Sequence, residues 1–110
     1  MKEIKAFIKP NRLEKVVQAL KENGFESVTL SECEGTGTYK REDSVPSLKF
    51  HFTDSKMIKL ELVCHNEKQL EIIKLICDNA STPYPADGII YVSDVIEAYK
   101  IKTFTPLSNL

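Results

Sequence analysis

The chain predicts an α+β sandwich, an antiparallel sheet carrying two helices on one face. Three observations predict it. A strand–helix–strand order occurs twice, each helix begins at an asparagine that can cap it, and the two halves are joined by a segment too long for a simple connection.

Residues 2–8 read as the first strand, and Pro10-Asn11 ends it. Asn11 is the expected N-cap of the first helix, with Glu14 completing a capping box. Leu13, Val16, Val17 and Leu20 recur at i, i+3, i+4 and i+7, which gives one buried face, and Asn23-Gly24 supplies the stop. Residues 27–32 form the second strand. In residues 57–64 Ile58, Leu60 and Leu62 alternate with Lys59 and Glu61, a clear strand pattern. Asn66 and Gln69 repeat the capping arrangement for a second helix, whose broad apolar face is Leu70, Ile72, Ile73, Ile76 and Cys77. After the turn-forming residues 81–88 comes a fourth strand at 89–92, and residues 98–103 suit a short edge strand. The whole is a ferredoxin-like βαβ-βαβ sandwich in a single domain, residues 1–110.

Gly35-Thr36-Gly37 is the one motif that suggests a phosphate cradle. Such a motif needs a helix directly after it, whose N-terminal amides hold the phosphate, and here a strand-like stretch follows. The glycines instead let the chain leave the sheet, and the connection they open is long enough to carry function.

Composition narrows the function classes. The chain has 15 basic and 16 acidic residues, a net charge of −1, so it has no broad footprint for nucleic acid or an anionic membrane surface. Its apolar runs are too short to span a bilayer, and the charges at Lys2, Glu3, Lys5 and Lys9 break any signal-peptide core. Three cysteines without a C-x-x-C pair read as free thiols of a cytoplasmic protein. A chain of this length buries roughly two-thirds of its unfolded surface and gains from a partner subunit.

At several places the chain resembles the PII signalling proteins: Ile8-Lys9-Pro10, Leu13, Ala19-Leu20, Gly24, Thr29 and Gly35-x-Gly37, then residues 58–63 and 87–94. The resemblance implies a homotrimer that binds an adenine nucleotide (ADP, AMP or ATP) between subunits and docks onto a membrane transporter or enzyme through a long T-loop, here residues 38–56. It implies nucleotide contacts from Thr29, Val63, Asp87 and Gly88, from the backbone at Gly35 and Gly37, and from Lys100 and Lys102. Partner contacts are expected from Tyr39, Leu48, Phe50 and Phe52 of the loop, the alternative for Leu48, Phe50 and Phe52 being an extended hairpin that packs on a neighbouring subunit.

The departures from the family pattern have consequences. Where the family carries Thr-Gly-Lys-x-Gly-Asp-Gly-Lys, this chain has Thr82-Pro83-Tyr84-Pro85-Ala86-Asp87-Gly88-Ile89. Proline offers no N–H, and Tyr84 and Ile89 bring no positive charge, so the expected ligands carry fewer phosphates than ATP. Tyr39 and Met57 stand where the resemblance implies a glutamine and a lysine for 2-oxoglutarate, and Phe50 stands near the uridylylated tyrosine of enteric members. Neither of those responses is expected here.

Other candidates read more plainly. Cys33, Cys64 and His65 are metal-ligand types, but if strands two and three pair, Cys33 falls opposite Met57 and Cys64 lies roughly 20 Å further along the strand. Cys77 is expected on the buried face of its helix. His51 and the run Lys40-Arg41-Glu42-Asp43 read as solvated loop residues, and Asp94 and Glu97 as solvated strand ends with no catalytic partner in spacing. No catalytic or metal site is expected. Beside the nucleotide-binding regulator stand two other readings: a trimeric adaptor that has lost its ligand, and a metal-responsive relative of PII-like or CutA-like proteins linked to heavy-metal efflux.

Overall fold

The computed structural model describes residues 1–35, 55–84 and 87–107. Gly37, Tyr39, Leu48, Phe50, His51 and Phe52, and the charged run at 40–43, lie outside them.

Strand β1 (Lys2–Ile8) leads to helix α1 (Leu13–Glu22) and strand β2 (Thr29–Gly35). After residues 36–54, strand β3 (Ser55–Cys64) leads to helix α2 (Gln69–Ala80) and strand β4 (Gly88–Asp94). The sheet order is β2-β3-β1-β4 and every pairing is antiparallel. This is the predicted ferredoxin-like arrangement. The expected loop of 38–56 is shorter at its end, because Ser55 and Lys56 already pair with Gly35 and Glu34.

Strand alternation decides where the core lies. Ile4, Ala6 and Ile8 of β1 and Leu60, Leu62 and Cys64 of β3 point to one face, where they meet Val16 and Leu20 of α1 and Ile72, Ile76 and Ala80 of α2. The opposite face carries Glu3, Lys5, Phe7, Lys59, Glu61, Val63, Ile89 and Tyr91, and among the described residues no helix lies over it.

Neither helix begins at the expected asparagine. Each is preceded by an extended residue and one 3₁₀ turn, Lys9 then Pro10–Arg12, and His65 then Asn66–Lys68, with no side-chain cap. Asn11 and Asn66 lie inside those turns, where the backbone bonds Arg12 N–H to Lys9 O and Lys68 N–H to His65 O, both at 3.0 Å, close the turn. Asn66 Oδ1 instead accepts from the N-terminal ammonium at 2.9 Å. The end of α1 agrees with the sequence reading. Phe25 N–H reaches Leu20 O at 2.8 Å and Gly24 N–H reaches Lys21 O at 3.1 Å, a Schellman closure that needs the φ of +87° at Gly24.

Two expectations about burial fail. Leu70 is 77% exposed and Cys77 is exposed. At 100° per residue the stripe of Ile72, Ile76 and Ala80 leaves both about 100–120° from its centre, too far round to reach the sheet. The expected edge strand at 98–103 also differs. Tyr99–Lys100 (β5) pairs with Thr105–Pro106 (β6) in a separate hairpin, closed by Phe104 at φ +53° stacking on Tyr99 at 5.8 Å. Among the described residues no helix is long and apolar enough to cross a membrane.

Candidate functional site

On the open face, the β2–β3 side of the sheet holds a groove of about 440 Å³. Thr29 enters it from the start of β2, opposite Glu61, and Val63 from the end of β3, opposite Glu3. Ser27 and Leu107 complete its rim. The structure therefore brings together Thr29 and Val63, two of the residues nominated from sequence. Glu61 was not nominated, although its alternation with Ile58, Leu60 and Leu62 already put it on the open face. Its carboxylate is 3.4 Å from Lys59 Nζ and supplies an acceptor beside the Thr29 hydroxyl.

Asp87 and Gly88 lie elsewhere. Gly88 pairs with Ile8 on the other edge of the sheet, three strand spacings from β2, or roughly 14 Å at ~4.8 Å per spacing. Gly88 has φ +116°, and a Cβ there would stand 1.7 Å from the Phe7 carbonyl oxygen, so only glycine lets β4 start this close to β1. Asp87 is held by a cluster that sequence reasoning missed. Lys9 Nζ lies 3.0 Å from Asp87 Oδ1 and 3.3 Å from Thr82 Oγ1. Thr82 N–H donates to Asp87 Oδ2 at 2.7 Å, and the Thr82 hydroxyl donates to Oδ1. Burial opposes ionisation of Asp87, but the two Thr82 donors and the Lys9 ammonium outweigh it and hold the carboxyl below its ordinary value. Lys9 is only 2% exposed. Nothing in its position between an alternating strand and Pro10 marks a lysine for burial, because the carboxylate that compensates it comes from 78 residues along the chain.

The remaining nominated residues are dispersed. Gly35 ends β2 with extended backbone, so its position requires no left-handed conformation. Lys100 lies in β5 and Lys102 in the hairpin turn, both exposed. The hairpin returns toward the groove, since Leu107 N–H bonds to Ala98 O at 2.8 Å and Leu107 lines the groove. Asp94 and Glu97 are occupied in surface contacts, Asp94 with Lys2 and Glu97 with the Tyr99 hydroxyl at 2.9 Å.

Cys33 lies opposite Met57, as the strand pairing requires, and Cys64 is at the far end of β3. Burial raises both thiol pKa values, against the lowering effect of Lys59 on Cys33 and of the N-terminus on Cys64. Burial thus favours the neutral thiol at both positions.

A half-open sheet backed by two helices, with a ligand-sized groove on its open face, makes a small α+β domain able to hold a ligand. Comparison with known proteins is specific. The family model for nitrogen regulatory protein P-II matches residues 1–104. The chain is 35% identical to a nitrogen regulatory protein P-II of Rhizobium meliloti over 104 residues, 94% of this chain and 93% of the relative. It is 33% identical to a nitrogen fixation nifHD region glnB-like protein of Methanococcus maripaludis over 103 residues, 94% and 95% of the two chains. The chain belongs to the P-II family. P-II proteins are non-enzymatic signal transducers, and this chain is a regulatory protein of that class.

Proposed function

We propose that this P-II protein is a homotrimer that binds an adenine nucleotide between subunits and controls a membrane transporter or enzyme through the segment that joins β2 to β3. The observation that carries the reading is the division of the nominated residues. Thr29 and Val63 sit on the β2–β3 side, while Asp87 and Gly88 sit at the β4 edge, so one chain alone does not close around a ligand. A neighbour's β4 edge laid against this groove would supply the missing half. Apolar surface supports such an assembly: Ile89 and Tyr91 are about half exposed on the open face, with Phe7 packed edge-on to Tyr91, and Ile96, Ile101 and Phe104 stand almost bare on or beside the hairpin.

In this arrangement the base enters the groove against Val63, within reach of the Thr29 hydroxyl, and Lys100 and Lys102 meet the phosphate end. The same two strands that line the groove, β2 and β3, carry the roots of the loop at Gly35 and Ser55. Binding that favours one pairing of these strands shifts the loop's population and so the choice of partner.

Sedimentation equilibrium at micromolar concentration, followed by titration calorimetry with ATP, ADP and AMP, tests the reading. A trimer mass, with binding weakened by Thr29→Val and by Lys100→Ala, supports it. A monomer removes the intersubunit site, and a trimer that binds none of the three is an adaptor without a ligand.

A further inference from the structure

The groove on the open face carries the carboxylates of Glu3 and Glu61 and the hydroxyls of Ser27 and Thr29, and none of the described residues lining it is a cation. Such a lining gives hydrogen-bond partners to a base and a ribose, and no counter-charge to a phosphate. Phosphates of a bound nucleotide therefore leave the groove. Leu107 belongs both to the groove, which it lines, and to the hairpin, where its N–H bonds to Ala98 O at 2.8 Å. Beyond it stands a tip that combines charge with an open aromatic ring. Lys100 and Lys102 are exposed, and neither forms an ion pair among the described residues. Phe104 N–H closes the tip on Lys100 O at 2.9 Å, with Lys102 between them in the turn. Phe104 takes φ +53°, which a bulky residue rarely adopts, and stacks on Tyr99 at an interplanar angle of 21°. It is nonetheless 84% exposed, so the ring face turned away from Tyr99 is open. Only Thr105 and Pro106 separate Phe104 from Leu107, at most roughly 10 Å of extended chain.

We infer that the hairpin tip is a second subsite and that the ligand of the cleft is a linear dinucleotide, two nucleosides joined through a pyrophosphate. One base lies in the groove, the two phosphates meet Lys100 and Lys102, and the second base stacks on Phe104. This rests on the proposed adenine-nucleotide cleft and names the class of ligand it takes. The charges match, because each phosphate of such a bridge carries one negative charge and the tip supplies two ammonium groups, whereas ATP brings further charge that the tip leaves unmatched. The rings match as well. A nucleobase presents a flat π-face, and Tyr99 behind Phe104 holds the platform in place before the ligand arrives.

Calorimetric titration of the assembled protein with AMP, ADP-ribose and diadenosine pyrophosphate tests this on the native chain, Phe104→Gly and Phe104→Leu. ADP-ribose has the same pyrophosphate and both riboses and lacks only the second base. Diadenosine pyrophosphate binds the native protein about tenfold tighter than ADP-ribose does, the low end of a base–aromatic stack because the position is exposed. Phe104→Gly, which removes the ring and suits the left-handed turn, abolishes that advantage. Should Phe104→Gly fail to assemble, Phe104→Leu, which keeps apolar bulk and loses the flat face, decides by the same loss. A ring covered by a neighbouring subunit would serve all three ligands alike. Equal affinity of the native protein for the dinucleotide and ADP-ribose, or an advantage that survives loss of the ring, therefore overturns the inference, while binding of AMP leaves the nucleotide reading standing. A native protein that binds none of the three overturns the nucleotide reading and this inference with it.

Discussion

Gly88→Ala tests the close approach of β4 to β1. The added methyl would lie 1.7 Å from the Phe7 carbonyl oxygen and 2.9 Å from its carbonyl carbon, both backbone atoms of the neighbouring strand. Relief requires β1 and β4 to part by more than about 1 Å at this point, since carbon and oxygen do not approach closer than roughly 3 Å. Alanine must also adopt φ +116°, outside the regions open to L-residues. Strain of about 1–3 kcal/mol, with about 1 kcal/mol for a ladder hydrogen bond weakened where Gly88 pairs with Ile8, gives a loss near 3 kcal/mol. That corresponds to a fall in Tm of roughly 10–20 °C for a domain of this size. Gly35→Ala is the control. Its methyl meets nothing within 4 Å among the described residues and its backbone is extended, so a change within about 0.5 kcal/mol is expected. Urea unfolding followed by far-ultraviolet circular dichroism, at one fixed protein concentration, compares the two. Equal midpoints for both variants would show that the close approach of β4 to β1 is not what requires glycine at position 88.

Asp87 makes stability depend on acid. Its folded pKa lies below the ordinary 3.8, so its contribution is fully present above that value and is lost as the pH falls through the folded pKa. Urea midpoints between pH 2.5 and 6 should show a fall at the acid end that Asp87→Asn makes shallower. In the core, Leu60→Ala should cost about 2–5 kcal/mol, whereas Leu70→Ser, at a position 77% exposed, should change stability by less than about 0.5 kcal/mol, both read from the same unfolding curves. Thiol labelling of the native protein should modify Cys77 rapidly and leave the 4% exposed Cys64 unmodified until denaturant is added. Replacing residues 40–52 by a short Gly/Ser linker should preserve folding and assembly, measured by circular dichroism and sedimentation, while abolishing capture of the partner from a membrane extract.

What the sequence determined by itself is the set of elements whose signal is local. Alternation of Ile58, Leu60 and Leu62 with Lys59 and Glu61 can satisfy only a strand with one wet face, and Leu13, Val16, Val17 and Leu20 only a helix with one buried stripe. Two such halves leave few ways to bury both stripes, so the sheet and its two helices were legible before any coordinate. The glycine that ends α1 was legible for the same reason, since a left-handed residue there is a property of a few neighbouring bonds. Tertiary structure decided what depends on distant chain. The helix starts were taken over by 3₁₀ turns, Leu70 and Cys77 were left outside by the angle at which α2 meets the sheet, and residues 99–106 closed on themselves instead of joining its edge. It also divided the nominated ligand residues between opposite edges of the sheet and buried Lys9. A lysine loses its hydration only where a carboxylate waits for it, and that carboxylate is brought to position 9 by the pairing of β4 with β1, a contact no window of sequence contains.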